Sequence, residues 1–222
     1  LVNFAPGASK SVMIPAIPHQ ISRNSQALPH TLRVLTPGDV DASVTAEVLS
    51  SDGVFVPVGL TSRSISAGIV TEFQFTPKIT SSILGIRITS TEPVVAAIKS
   101  TVTVSGKKDF VWSTSAPALV PLTIAISGLT PLVSFTGESI NVSLDVTLNN
   151  GKVVRKNVKG TDIATWRAPD AARSFTITKV DPDTFAAALV SSINGYGYFP
   201  IAPGSLLTKI ELPDSNIRVL NP

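Results

Sequence analysis

Two histidines, His19 and His30, are the first residues to consider for catalysis or metal binding. Both lie in the Pro-rich opening of the chain, in "IPHQIS" and "LPHTLR". A Ser-His-Asp triad would have to use one of them, but the sequence contains no G-x-S-x-G elbow. A histidine metal site needs further ligands at suitable spacing, and no carboxylates are local. The sequence therefore predicts exposed loop histidines with no catalytic or metal-binding role.

The acidic residues are scattered, mostly near predicted turns. The closest pairs are Asp39 with Asp41 in "PGDVDAS" and Asp181 with Asp183 in "VDPDTF". Alternating aspartates can bind calcium, but a full site needs about six oxygen ligands, and Asp and Pro are also common turn residues. Glycosidases need only two carboxylates across a cleft, so spacing does not exclude a carbohydrate-active enzyme. We expect no enzyme and no cofactor, with a two-carboxylate enzyme as an open alternative.

A basic cluster in "GKVVRKNVKG", followed closely by "TWR", is the most distinctive charged feature. The candidate binding residues are Lys152, Arg155, Lys156, Lys159, Trp166 and Arg167. On a strand, Lys152 and Lys156 would share one face, and Arg155 and Lys159 the other. One interpretation is an edge strand that lysines protect against pairing with other chains. The functional interpretation is a patch for an anionic glycan or a negatively charged protein. Nucleic acid is not expected, because the cluster lacks interleaved aromatic residues.

The order of predicted strands occurs twice along the chain. "SVTAEVL" and "VSLDVTL" alternate with period two, and each leads into a turn, Ser51-Asp52-Gly53 or Asn149-Asn150-Gly151. "GIRITS" then matches "SFTITK", "EPVVAAIKS" matches "DTFAAALVS", and "FVWSTSAP" matches "YGYFPIAP". The Ala-containing runs are predicted to be core strands. Elements in a fixed order at a long period indicate two copies of one module.

The predicted fold is all-β, with two tandem antiparallel immunoglobulin-like β-sandwich modules. We place the first module at residues 31–128 and the second at 130–222. Residues 1–30 would be a partial repeat or a capping segment, because "LVNFAPG" resembles "YFPIAPG" and "SVMIP" resembles "KIELP". The short Pro-containing junction at residues 128–131 should allow only a limited range of angles between the modules.

The repeat also assigns roles to the aromatic residues. Trp112 and Tyr198 occupy equivalent module positions, which favours core packing for both. Trp166, beside Arg167, is the better candidate for an exposed contact with a sugar ring. An alternative function is therefore recognition of envelope polysaccharide by the basic and aromatic patch.

Composition narrows the classes of protein further. The chain of 222 residues is 43% hydrophobic and has no cysteine, which excludes disulfides and thiolate chemistry. The segment from Val111 to Gly137 has no charge, but Pro117, Pro121 and Pro131 would break a membrane helix. It is predicted to form short buried strands, with no membrane-spanning segment.

The first module resembles a family of exported actinobacterial cell-envelope proteins that carries only a domain-of-unknown-function label. The similarity covers about residues 31–119, and the second module matches it poorly. The matching residues are Pro37, Gly38, Ser90, Pro93, Val94, Ala96, Asp109, Trp112, Ala116 and Pro117. The resemblance implies export, an all-β fold and a cell-envelope setting. The expected function is a non-catalytic structural or binding module of a secreted or surface-associated protein, with an envelope protein or anionic glycan as partner.

Overall fold

The protein is all-β in its computed structural model, which describes residues 7–21, 27–126, 128–192 and 195–202. No helix occurs in these ranges. The fourteen strands are β1 (Ser9–Pro18), β2 (His30–Leu35), β3 (Ala42–Ser50), β4 (Gly53–Phe55), β5 (Arg63–Ile65), β6 (Val70–Phe75), β7 (Ile83–Val104), β8 (Lys107–Thr114), β9 (Leu122–Ala125), β10 (Leu132–Leu148), β11 (Val153–Arg167), β12 (Ala172–Lys179), β13 (Phe185–Ser192) and β14 (Gly195–Pro200).

Strand pairing divides the chain into two antiparallel sheet systems. The first contains β1 to β8 and the second contains β9 to β14. All the strand pairs are antiparallel. These observations confirm the predicted all-β class and the presence of two antiparallel units.

One long strand organises each unit. In the first unit, the early half of β7 pairs with β1 and β3, and its later half pairs with β2 and β8. In the second unit, β10 pairs with β11 along both of its halves, with β13 beside the early half and β12 beside the later half. Each long strand therefore takes part in two differently flanked sheet regions.

The two units differ in which strands of the repeat are continuous and which are interrupted by a loop. Separate β2 and β3 pair with one continuous β7 in the first unit, whereas separate β12 and β13 pair with one continuous β10 in the second. Residues 36–41, which include Pro37 and Gly38, separate β2 from β3. Residues 180–184, which include Pro182, separate β12 from β13. A register shift between Gly137 and Ile140 lets β10 continue through the corresponding corner.

The segments from which the repeat was predicted form strands and turns at equivalent positions in the two units. "EPVVAAIKS" lies in the later half of β7 and "FAAALVSS" forms β13, so both Ala-containing runs are strands as predicted. The two predicted hairpin turns are also present, with Gly53 at φ 119° and Gly151 at φ 81°. Glycine adopts these positive angles without the steric cost that a side chain imposes.

Each unit has its own hydrophobic core, and the strands at the predicted domain limits can be assigned to these cores. The first core includes Ile14 of β1, and β1 pairs with β7, although it lies in the predicted 1–30 segment. The second core includes Ile124 of β9, and β9 pairs with β12, although it lies within the predicted 31–128 module. Residues 1–6 and 203–222, which carry most of the "LVNFAPG" and "KIELP" similarity, lie outside the described residues.

A third hydrophobic cluster joins the two units. Its buried members are Ala16, Ile83, Val102 and Val111 from the first unit and Ala187, Leu189 and Tyr198 from the second. The Tyr198 hydroxyl donates a hydrogen bond to the Thr114 carbonyl across this interface. Gln20 Nε2 donates to the Tyr196 hydroxyl at 2.9 Å, also between the units. The units therefore share buried apolar surface in addition to the chain that connects them.

The uncharged segment from Val111 to Gly137 forms the end of β8, all of β9 and the start of β10, as expected of short strands. Among the described residues, no helix has the length and apolar character needed to cross a membrane.

Candidate functional site

The predicted basic cluster lies on β11, which in the described structure pairs only with β10. Arg155 lies opposite Asp145, with its Nε 3.0 Å from the carboxylate Oδ1, and Lys159 lies opposite Asn141. The hydrogen bond and charge of Asp145 raise the pKa of Arg155. Arg155 and Lys159 share one face, as predicted. Lys152 precedes the strand, in the turn that leads into it.

Lys156 lies on the other face of β11, opposite the buried Leu144. Its neighbours on that face are Val154 and Val158, so the lysine interrupts an apolar row at the margin of the core. A charge that points inward on an edge strand opposes pairing with another chain. This geometry agrees with the protected-edge interpretation. Binding of an anionic polymer by these residues stays a prediction.

Trp166 does not join the basic residues at an exposed surface. It lies opposite the buried Val133 and packs against the second core. Its ring meets Phe175 edge-on, with centroids 5.2 Å apart. Its strand position thus places Trp166 on the inward face and partly buried, and a contact with a sugar ring stays a prediction. Arg167, the next residue, lines clefts at the junction between the units together with Leu132.

The exposed aromatic surface lies instead on β8. Trp112 is 41% exposed and Phe110 is 50% exposed, whereas the alternate residues Val111 and Ser113 are buried. The expectation of a core role for Trp112 is therefore wrong. Tyr198 is buried, but in the cluster between the units and not in the core of its own unit. Period-two alternation in "DFVWST" places Trp112 on the same face as Phe110, but it does not show which face of the strand is outward.

Strand register defines the whole surface to which these rings belong. In each antiparallel pair, directly opposite residues share a face. The outward residues of β6, β2, β7 and β8 thus form one surface, which we call the β8 face: Val70, Glu72, Gln74, Thr31, Arg33, Leu35, Val95, Ala97, Lys99, Thr101, Thr103, Lys108, Phe110 and Trp112. Its reverse side packs on the core of the first unit and, behind β8, on the cluster between the units, so the sheet holds these side chains in place.

Cations lie on both exposed rings of the β8 face. Lys99 Nζ lies 3.8 Å from the centroid of Phe110, and Arg33 Cζ lies 4.9 Å from the centroid of Trp112. Arg33 reaches Trp112 from two strands away, and the residue opposite it on the intervening strand is the small Ala97. Glu72 fixes the other side of the guanidinium, with Nη2 and Oε1 2.5 Å apart. Two aromatic rings and the cations that contact them therefore lie on the same face of the sheet.

The histidines are buried, contrary to the sequence expectation. His19 Nδ1 lies 3.0 Å from His30 Nε2, and His30 Nδ1 lies 2.9 Å from the Ser100 hydroxyl. The His30 ring also contacts Phe75, with centroids 5.4 Å apart. The expectation failed because it treated His30 as a loop residue, whereas it begins β2 and lies opposite Phe75 and Ser100.

Burial favours the neutral form of both histidines. It is the main cause that lowers the pKa of His30 to about 3, and the charge of His19 lowers it further. Burial also lowers the pKa of His19, against a smaller opposing effect of the Ile79 carbonyl. Ser100 is fully buried as well, so the Ser-His-His chain lies within the protein interior, with His19 at the margin of the cleft that Arg167 also lines.

Two carboxylates, Asp39 and Glu92, line one depression of about 310 Å³ beside Pro93. Glu92 also lies 3.8 Å from the ammonium of Lys10. Asp41 has a structural partner, since its Oδ1 accepts the Ala67 N–H at 2.9 Å. Within the described ranges, no three acidic or histidine side chains are grouped closely enough to hold a metal ion.

Comparison with known proteins gives a match to a protein family. The model of a family described as "Family of unknown function (DUF5719)" matches residues 2–183. No curated protein and no solved structure matches the chain. The family match extends across the first unit and into the second, as far as the turn before β13. Because it covers most of the chain, this protein belongs to the DUF5719 family of unknown function.

Proposed function

We propose that the chain is a non-catalytic structural unit of a secreted or surface-associated protein of an actinobacterial cell envelope. In this proposal each sheet system is an immunoglobulin-like sandwich, and the two sandwiches form one rigid body. The observation that carries the proposal is the third hydrophobic cluster, in which Leu189 and Tyr198 of the second unit pack against Val102 and Val111 of the first. Domains that share apolar surface move less freely than domains connected by a linker alone.

Rigidity has a direct thermodynamic test. If the units form one body, calorimetry of the purified chain should show a single unfolding transition. Leu189→Ala should lower the stability of the interface and separate the transition into two, because it removes apolar contacts between the units. Val153→Ala is the matched control, since Val153 is 54% exposed on β11. Two independent transitions in the unmodified protein would refute the rigid-body proposal.

Localisation needs a separate experiment. The full-length protein, tagged and expressed in its native host, should be recovered in the cell-envelope fraction or the culture medium. A cytoplasmic enzyme followed in parallel controls for lysis. Recovery of the tagged protein together with that enzyme would contradict the envelope setting, whatever the calorimetry shows.

A carbohydrate-active enzyme is the second candidate, favoured by the depression that Asp39 and Glu92 share. Glycoside hydrolysis uses two carboxyl groups on either side of the scissile bond, and this depression has two carboxylates in its lining. The test is release of reducing ends from envelope polysaccharides by the purified protein. Activity that disappears in both Asp39→Asn and Glu92→Gln would establish the enzyme. No release of reducing ends by the unmodified protein would eliminate it.

A further inference from the structure

The β8 face combines two exposed aromatic rings with an excess of positive charge. Phe110 and Trp112 are two residues apart on one strand, which places them about 7 Å apart along the sheet. Scattered single apolar residues are normal on protein surfaces, but adjacent exposed rings on one face form a patch. Both rings retain much of their exposure despite the cations that lie against them.

The β8 face has more positive than negative charge. Glu72 is the only acid among the residues that define the face, and it is bound to Arg33. Lys99 and Lys108 have no carboxylate within 4.0 Å among the described residues. Asp109, although next in sequence to Lys108, lies opposite the buried Val102 and so belongs to the other face of β8. A ligand on the β8 face therefore meets two unneutralised ammonium groups beside the rings.

We propose that the β8 face binds an acidic polysaccharide. The apolar face of a sugar ring would lie on Trp112 and Phe110, while its carboxylate or phosphate groups would contact Lys99 and Lys108. Thr101 and Thr103 follow Lys99 on the same face of β7, with Thr103 opposite Lys108 of β8, and supply hydroxyl groups for the sugar hydroxyls. The site lies entirely on the first unit and is distinct from the basic cluster on β11.

The same observations argue against two other polyanions. Nucleic acid carries a charge on every nucleotide, and tight binding uses several phosphate contacts. The β8 face offers only three cations, and Glu72 already binds one of them. A protein partner would cover a larger area, about 800 Å² on each side of a stable interface, with an apolar centre. Here the exposed rings are limited to the strip of Phe110 and Trp112 on one strand, whose width suits a single extended glycan chain, and the aliphatic Val70 is the other large apolar side chain exposed on this face.

The test measures binding of polygalacturonate to the intact chain by isothermal titration calorimetry. Dextran supplies sugar rings without charge, poly-glutamate supplies charge without sugar rings, and oligo-dT supplies a nucleic acid. We expect polygalacturonate to bind most tightly. Trp112→Ala should weaken that binding about tenfold, and Lys99→Gln about threefold. Poly-glutamate binding, where detectable, should not depend on Trp112.

Two further variants keep the result interpretable. Trp112→Phe retains a ring and should preserve most of the affinity, which separates loss of stacking from loss of folding. Lys179→Gln removes an exposed lysine of the second unit that belongs neither to the β8 face nor to the basic cluster on β11, and it should leave binding unchanged. Thermal melting of every variant confirms that it is folded.

Several outcomes would overturn the proposal. These are the absence of polygalacturonate binding, equal binding of poly-glutamate, tighter binding of oligo-dT, and polygalacturonate binding that Lys179→Gln weakens and Trp112→Ala does not. None of them bears on the rigid-body or localisation experiments, so failure here is separable from failure of the proposed structural role.

Discussion

Lowering the pH from 7 to 5 should destabilise the protein through the buried pair His19 and His30. Burial depresses the folded-state pKa of both rings, to about 3 for His30. The unfolded chain exposes the same rings, whose pKa there is about 6.5. Between these two values the unfolded state binds more protons than the folded state, so stability decreases as the pH falls. The stabilisation is fully present above about pH 6.5.

The magnitude follows from proton linkage. Protonation of an unfolded-state histidine with a pKa near 6.5 changes the free energy of unfolding by about 2 kcal/mol between pH 7 and pH 5, if the folded ring stays neutral. His30 meets this condition because its folded-state pKa is far below 5. His19 adds to the loss in the same direction. For a chain of this size, 2 kcal/mol corresponds to a decrease in Tm of about 4–8 °C.

Thermal and urea unfolding of the unmodified chain and of His30→Asn, at several pH values between 5 and 7, would measure the effect. The variant is expected to be less stable at pH 7, because it loses the contacts of His30 with Ser100 and Phe75. Its stability should, however, depend less on pH, by about 2 kcal/mol over this range. An unmodified protein that is equally stable at pH 7 and pH 5, or a variant with the same pH dependence, would refute the reasoning.

Three other predictions concern packing and the open edge. Gly85→Ala should cost about 1–3 kcal/mol, because the new Cβ would lie 2.7 Å from Thr136 Cγ2 of the other unit. Adding Thr136→Ser removes that methyl group and should recover part of the loss in urea unfolding; no recovery would mean that another contact is responsible. Tyr198→Phe should cost about 1–2 kcal/mol in calorimetry, since it removes the hydrogen bond to the Thr114 carbonyl; an unchanged melt would make that bond energetically neutral. Lys156→Val should promote concentration-dependent self-association in sedimentation experiments, because it restores an apolar row on an unpaired edge. A strictly monomeric variant would show that the lysine has no protective role.

The repeat was predictable because its strands and turns are indicated by local sequence patterns. Alternation in "SVTAEVL" and "VSLDVTL", and the glycine turns at Gly53 and Gly151, determine strand type and hairpin position from neighbouring residues alone. The fusion of the strands into a continuous β7 and a continuous β10 was not predictable. Whether a strand continues depends on whether the chain forms a turn or a β-bulge at the corner. That choice is set by the register with the neighbouring strands of the sheet.

The residues of the candidate site also show that sequence alone predicts local features but not contacts between distant segments. Arg155 and Lys159 share the predicted face because strand parity is local. Trp112 was assigned to the wrong side of its strand, and Trp166 packs further inward than expected, since neither composition nor the repeat specifies which parity faces the core. His30 was misjudged because its burial comes from Phe75 and Ser100, which are 45 and 70 residues away in sequence. Contacts at such separations leave no local sequence signal.

The complementary strand breaks have a consequence for how the two copies can change. Added residues between β2 and β3 would enlarge an existing corner of the first unit, but the same addition in the middle of β10 would interrupt the strand that supports the second. Between β12 and β13 the situation is reversed, because the equivalent point of the first unit lies inside β7. Each copy thus tolerates length variation at the corner where the other is constrained.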